Sequence, residues 1–187
     1  TLKENHDDAI QLGYMMHHLY HMEIPTVASI QGACFGGGIG LASCCKIVIA
    51  SLDAKFCFSE VKLGIVPAVI SPYILKAIGQ RAAESYFLTA DVFDSAKAKA
   101  LGLTYQTVEN AELERASHAV LQTLLKHSPN ALRGIRSLVR LVDHHPLDET
   151  IVEKTAQMIA EFRVSSEGQE GLSAFLEKRN PSWAVDL

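Results

Sequence analysis

The chain has 187 residues, 48% hydrophobic and 20% charged, with a formal net charge of −4. That much apolar side chain sustains a packed core in one soluble domain and excludes an intrinsically disordered chain. The mild acidity and the lack of a long basic run argue against nucleic acid or an anionic membrane as partner, and no apolar run reaches membrane-spanning length. No signal-peptide pattern stands at Thr1.

In chain order, residues 6–22 predict an amphipathic helix carrying Ile10, Tyr14, His17, His18 and His21 on two neighbouring faces. It stops by about Glu23, because Pro25 forces extension. Residues 26–30 (Thr-Val-Ala-Ser-Ile) and 46–50 (Lys-Ile-Val-Ile-Ala) are β-branched runs of strand length. A glycine turn and a short helix over about 39–45 separate them. This strand-helix-strand unit implies parallel strands, with the glycine turn at the carboxyl end of the first, where ligands bind in open α/β sheets. Residues 56–58 give a further short strand. Ser71 as N-cap, Pro72 at the first helical position and Gly79 as terminator bound the next helix, and Ser95 and Gly102 bracket another. Residues 111–127, about 130–142, 147–163 and 168–178 read as longer helices, with turns marked by Pro129, Pro146 and Gly168. The fold class is α/β, a sheet-forming front part with a helical rear part.

Two features carry chemistry. Gly36-Gly37-Gly38 lets the backbone turn tightly into a helix whose first N–H groups are unpaired and partially positive, a place that can hold a carbonyl oxygen as it becomes negative. Glu60, in Phe56-Cys57-Phe58-Ser59-Glu60, is the candidate acid/base group. Each also has a plain explanation, a surface charge for one and a close-packed turn for the other. Cys34, Cys44, Cys45 and Cys57 fall in apolar settings without a CxxC pair. They read as reduced core thiols, which suits the cytoplasm, or the mitochondrial matrix in a eukaryote. The pair His17 and His21, and His144 with His145 near Asp143, have ligand-type side chains, yet exposed helix histidines are far commoner and no metal site is expected. Asp143-His144-His145-Pro146 instead reads as a helix end with favourable positive charge. Ser43, Ser59 and Ser71 have no histidine near them in sequence, so a hydrolytic triad has no support.

Ile-Pro-Thr-Val-Ala-Ser-Ile-Gln-Gly (24–32), Gly-Gly-Gly (36–38), Leu-Gly-Ile-Val-Pro (63–67), Ile-Gly-Gln-Arg-Ala-Ala (78–83), Ala-Lys-Ala-Leu-Gly-Leu (98–103) and Glu-Gly-Leu-Ser-Ala-Phe-Leu-Glu-Lys-Arg (170–179) occur in an order that resembles the crotonase, or enoyl-CoA hydratase/isomerase, superfamily. The resemblance implies a crotonase-like ββα spiral core over 1–127, a helical trimerisation region over 128–187, and a homotrimer or dimer of trimers. It also implies acyl-CoA thioester substrates, with coenzyme A entering as part of the substrate and no separate cofactor. Gly37 matches one of two backbone oxyanion donors. Gly36, Gly37, Gly40 and Pro67 are the expected substrate-binding positions, and Glu60 and Gly37 the catalytic ones.

Two departures matter. The family's first catalytic glutamate falls on Gly40, which suggests space kept for a bulky or charged acyl group, since glycine in a helix costs up to about 1 kcal/mol against alanine. Ala68-Val69-Ile70-Ser71-Pro72 replaces a glycine-rich run and is expected to reshape the acyl pocket. Together, Ile39-Gly40-Leu41 with Ser43-Cys44-Cys45, Phe56-Cys57-Phe58-Ser59-Glu60 and Pro67-Ala68-Val69-Ile70-Ser71-Pro72 are most similar to the bacterial methylglutaconyl-CoA hydratases. Lys46 and Lys62 are candidate partners for a substrate carboxylate. The family's amino-terminal strands, with the segment supplying the other oxyanion N–H, lie before Thr1 in its pattern, so the chain is expected to be a fragment of a longer polypeptide. The expected reaction is hydration of a branched 2-enoyl-CoA. The alternatives are an isomerase with Glu60 as single base and a non-catalytic relative.

Overall fold

The computed structural model describes residues 1–143 and 145–184. Two compact units divide the chain, Thr1–Met22 with Thr26–His118, and Glu23–Pro25 with Ala119–Leu187. The first unit opens with α1 (Leu2–His21), whose first turn is closed by a capping box between Thr1 and Glu4, so the helix begins earlier than its apolar periodicity predicts. Two three-stranded sheets follow. In the first, β1 (Val27–Ile30) pairs in parallel with β3 (Ile47–Ser51), as the strand-helix-strand pattern predicts, and β3 pairs in parallel with β6 (Gln106–Val108). In the second, β2 (Ala33–Phe35) runs parallel to β4 (Lys55–Cys57), and β4 pairs antiparallel with β5 (Phe93–Asp94).

Strand β2 corrects the sequence reading. The glycine turn stands at the carboxyl end of β2, not of β1, and α2 (Gly37–Cys44) starts there. Ala-Cys-Phe carries no β-branched residue and lies between Gly32 and Gly36, both at positive φ, so by composition it reads as part of a loop. The strand exists because the β4 backbone pairs with it, a tertiary cause.

Three helices complete the first unit, α3 (Ser71–Ile78), α4 (Gln80–Thr89) and α5 (Ser95–Ala100). Their caps lie one residue earlier than expected. Ile70 precedes α3, and Asp94 caps α5 by accepting from Lys97 N at 2.8 Å. Gly79 (φ 78) ends α3 and begins α4 at once. The core between sheets and helices is built on Met16, Ile39, Phe56, Phe58 and Ile74, all fully buried. Phe58 packs edge-on to Phe87, with ring centroids 5.0 Å apart. Cys34, Cys44 and Cys57 are buried free thiols, and Cys45 is half-buried. Burial pushes the Cys34 and Cys44 thiols up to about 11, which keeps them protonated and unreactive.

Helix α6 (Leu113–Leu125) begins in the first unit and ends in the second, which contains α7 (Pro129–Asp143), α8 (Glu149–Val164) and α9 (Ser166–Glu177). Ser165, not Gly168, marks the α8–α9 turn; its Oγ accepts from Gly168 N at 3.0 Å. The Glu170 carboxylate takes both Nη groups of Arg179, at 2.7 and 2.9 Å, and the Ser182 amide at 2.8 Å. His144 lies outside the described residues. His145 donates from Nδ1 to Leu141 O at 2.7 Å and accepts from Lys154 Nζ at 2.8 Å. Among the described residues no group of three or more His, Cys, Asp or Glu side chains could hold a metal ion, and no helix is long and apolar enough to cross a membrane.

Candidate active site

The parallel pairing of β2 and β4 brings the two sequence features together. Phe35 stands opposite Cys57, and Gly36 N extends the ladder by donating to Cys57 O at 3.1 Å. The two chains then diverge, one into α2 and the other through Phe58 and Ser59 into a 3₁₀ turn, Glu60–Leu63. Glu60 therefore emerges beside the glycine turn. A Cβ placed on Gly36 would lie 3.4 Å from Glu60 Oε1.

Gly36 adopts φ 50 and ψ −120, a conformation that L side chains avoid, so glycine is required at this point. Its carbonyl accepts the first intrahelical bond, from Gly40 N at 3.2 Å. The N–H groups of Gly37 and Gly38 precede that bond and have no acceptor among the described residues, and both glycines are exposed. No acidic side chain occupies the first turn of α2, and no side chain caps it. Two bare donors thus stand open at the positive end of a helix, directly after the glycine that the Glu60 carboxylate approaches.

The carboxylate is itself poorly satisfied. Glu60 Oε2 is buried with no hydrogen-bond partner among the described residues. Such a group costs about 1–3 kcal/mol to keep, which marks it as a candidate for ligand contact. Its backbone is fixed instead: Glu60 O accepts from Ile65 N at 3.2 Å, and Gly64 (φ 73) turns the chain back. Beyond it Leu63 and Val66 are 74% and 70% exposed, and Phe35 on β2 is also exposed. Exposed apolar side chains thus lie on β2 before the glycine turn and in the segment that contains and follows the 3₁₀ turn.

Four expectations are corrected here. Gly40 does not leave space for a substrate: a Cβ there would lie 2.3 Å from Ile70 Cγ2, 2.8 Å from Ile70 Cβ and 3.0 Å from Met16 Cε. The glycine is there so that helices can pack closely. Ile70 and Val69 turn inward, Ile70 against Gly40 and Val69 Cγ1 to 3.9 Å from the Gly13 Cβ position, so this part of 68–72 fills the core rather than reshaping a pocket. Pro67 is buried, its carbonyl accepts from Ser71 N at 3.0 Å and proline has no N–H, so it shapes the loop before α3 and presents a ligand with neither a backbone donor nor a free carbonyl. Lys46 donates from Nζ to Tyr20 O at 2.9 Å and lies 4.0 Å from the Tyr20 ring centroid, closing the end of α1. Lys62 is exposed in the 3₁₀ turn. Gly38 N–H is a second open donor next to Gly37, in keeping with the bare N–H groups that the glycine triplet predicts.

Residues 3–185 match the enoyl-CoA hydratase/isomerase family. A Thermus thermophilus protein assigned as an enoyl-CoA hydratase is 31% identical over 179 residues, covering 96% of this chain and 70% of the relative. A Legionella pneumophila crystal structure assigned as an enoyl-CoA hydratase/isomerase (crotonase) superposes with a TM-score of 0.96 at 46% identity, covering 98% of this chain and 71% of that one. An enoyl-CoA hydratase from Shewanella pealeana gives 0.90 at 43% identity, over 98% and 68%. Mycobacterial relatives are matched over 62% of their length. With its paired β2 and β4 strands delivering a glycine turn and a glutamate to one place, the chain belongs to the enoyl-CoA hydratase/isomerase family.

Proposed function

We propose that the protein processes an acyl-CoA thioester, adding water across the double bond of a branched 2-enoyl-CoA. The observation that carries this reading is the Glu60 carboxylate, with Oε2 buried and unpartnered and Oε1 3.4 Å from the Cβ position of Gly36, the residue that leads into the open N–H groups of Gly37 and Gly38. In this reading the thioester oxygen lies at the start of α2, where Gly37 N–H stabilises the enolate charge; one such donor is worth about 10²–10³ in rate. Glu60 takes a proton from water as the oxygen bonds to the β-carbon, then returns a proton to the α-carbon on the same face, giving syn addition. The exposed Leu63 and Val66 and the apolar Phe35 suit an acyl chain. Coenzyme A enters as part of the substrate, and no further cofactor or metal takes part.

For the acyl group, 3-methylglutaconyl-CoA is the substrate to test. The packing of Gly40 and the engagement of Lys46 remove two sequence arguments for a charged acyl group, so this choice rests on the motif resemblance. A second reading, a double-bond isomerase, is favoured by one observation: position 40 carries no side chain, and Glu60 is the carboxylate that the described residues bring to within 4 Å of the glycine turn's Cβ positions. In the second unit, Phe175 and Leu176 on α9 are 81% and 79% exposed, which supports self-association as a homotrimer or dimer of trimers. The test is the product mass after incubation with 3-methylglutaconyl-CoA, crotonyl-CoA and a 3-enoyl-CoA. Gain of one water supports the hydratase. A moved double bond at unchanged mass supports the isomerase, and no reaction with any of the three points to a non-catalytic binding protein.

A further inference from the structure

The start of α2 is weakly held by local contacts. Gly36 provides no side-chain cap, and Cβ atoms placed on Gly37 would meet nothing within 4 Å, and on Gly38 only Cys34 Sγ at 3.8 Å. One turn further on the situation reverses. Gly40 is buried, Ile70 is 3% exposed and Met16 is fully buried, and the Ile70 side chain fills the space where a Cβ of residue 40 would stand. Ile70 immediately precedes α3 and Met16 belongs to α1, so two helices close on α2 at a notch cut by the missing side chain. Close packing of this kind transmits small displacements rather than absorbing them.

We propose that Ile70 is a positioning residue for the site: lodged in the Gly40 notch, it sets where the first turn of α2, and with it the Gly37 and Gly38 N–H groups, stands relative to Glu60. The catalytic part of this proposal rests on the function proposed above; the structural part does not. A displacement of about 1 Å at a reacting group costs on the order of 10² in rate, so the notch governs turnover without touching substrate.

The test uses the full-length protein and three variants. Gly40→Ala forces Cβ against Ile70 and pushes α2 outward. Gly40→Ala with Ile70→Gly removes both obstructing Ile70 atoms, and glycine is well tolerated before a helix. Val48→Ala, on β3, serves as a control for core destabilisation. The expected result is a fall in kcat of about tenfold or more for Gly40→Ala with KM within about threefold. In the double variant kcat returns to within about threefold of the parent, while Val48→Ala keeps the parent kcat despite a lower melting temperature. The Gly37 and Gly38 amide resonances shift in Gly40→Ala and return in the double variant. Amides that do not move in Gly40→Ala, or do not return, overturn the proposal. If the parent turns over no acyl-CoA, the functional reading fails while the amides still decide the positioning. If Gly40→Ala does not fold, Ile70→Ala empties the notch without a clash, and the same amides must shift.

Discussion

Gly36 and Gly37 are adjacent, yet alanine should destabilise at Gly36 and be neutral or stabilising at Gly37. At Gly36, φ 50 with ψ −120 is strained for any L side chain, at about 1–3 kcal/mol. The stiffer unfolded chain returns about 0.4–1 kcal/mol, leaving a net loss of about 1–2 kcal/mol. For a chain of this size that corresponds to a melting temperature lower by roughly 2–8 °C. At Gly37 the backbone is helical and a Cβ meets nothing within 4 Å, so alanine is neutral or gains up to about 1 kcal/mol. Urea unfolding followed by far-ultraviolet circular dichroism measures both. Equal stability of the two variants, or a less stable Gly37→Ala, would refute the assignment of Gly36 as the conformationally obligate glycine of the turn.

Further outcomes follow for the second unit. The Arg179 guanidinium beside Glu170 holds its carboxyl down at about 2, from 4.5. Because the folded-state value is the lower one, this pair stabilises above about pH 4.5 and the contribution is lost as pH falls toward 2. Trp183, the single tryptophan, packs against Gly171, so its fluorescence should report that loss, and Glu170→Gln should flatten the response between these pH values. Gly168→Ala should destabilise by about 1–3 kcal/mol despite alanine's better helix propensity. Its Cβ would lie 1.9 Å from Phe162 O, a backbone atom that cannot swing aside, and thermal unfolding checks the sign.

Much of this architecture is legible in the chain because local signals agree with the fold. The β-branched runs gave β1 and β3, and the apolar periodicity gave α1 and α6 to α9, with ends displaced by a few residues. What escaped was set by tertiary partners. Strand β2 forms from Ala-Cys-Phe because β4 is beside it, and β6 because β3 is. Helix α4 follows α3 with only Gly79 between, where a single glycine reads as a stop and not also as a start. The ingredients of the site, Gly36 to Gly38 and Glu60, were readable, but their meeting depends on the register of β2 against β4, which no spacing rule supplies. Gly40 shows the converse: a missing side chain suggested room, and the room is taken by Ile70, a residue thirty positions later whose inward orientation only packing decides.

The most direct test of the account is turnover by Glu60→Gln, with CoA-ester binding measured in parallel on the acyl-CoA that the parent converts. Glutamine keeps the shape of the side chain and removes its ability to exchange a proton. With Glu60 as the acid/base group, nearly all turnover is lost, at least about 10²-fold, with binding close to that of the parent. Turnover at the parent rate would contradict it.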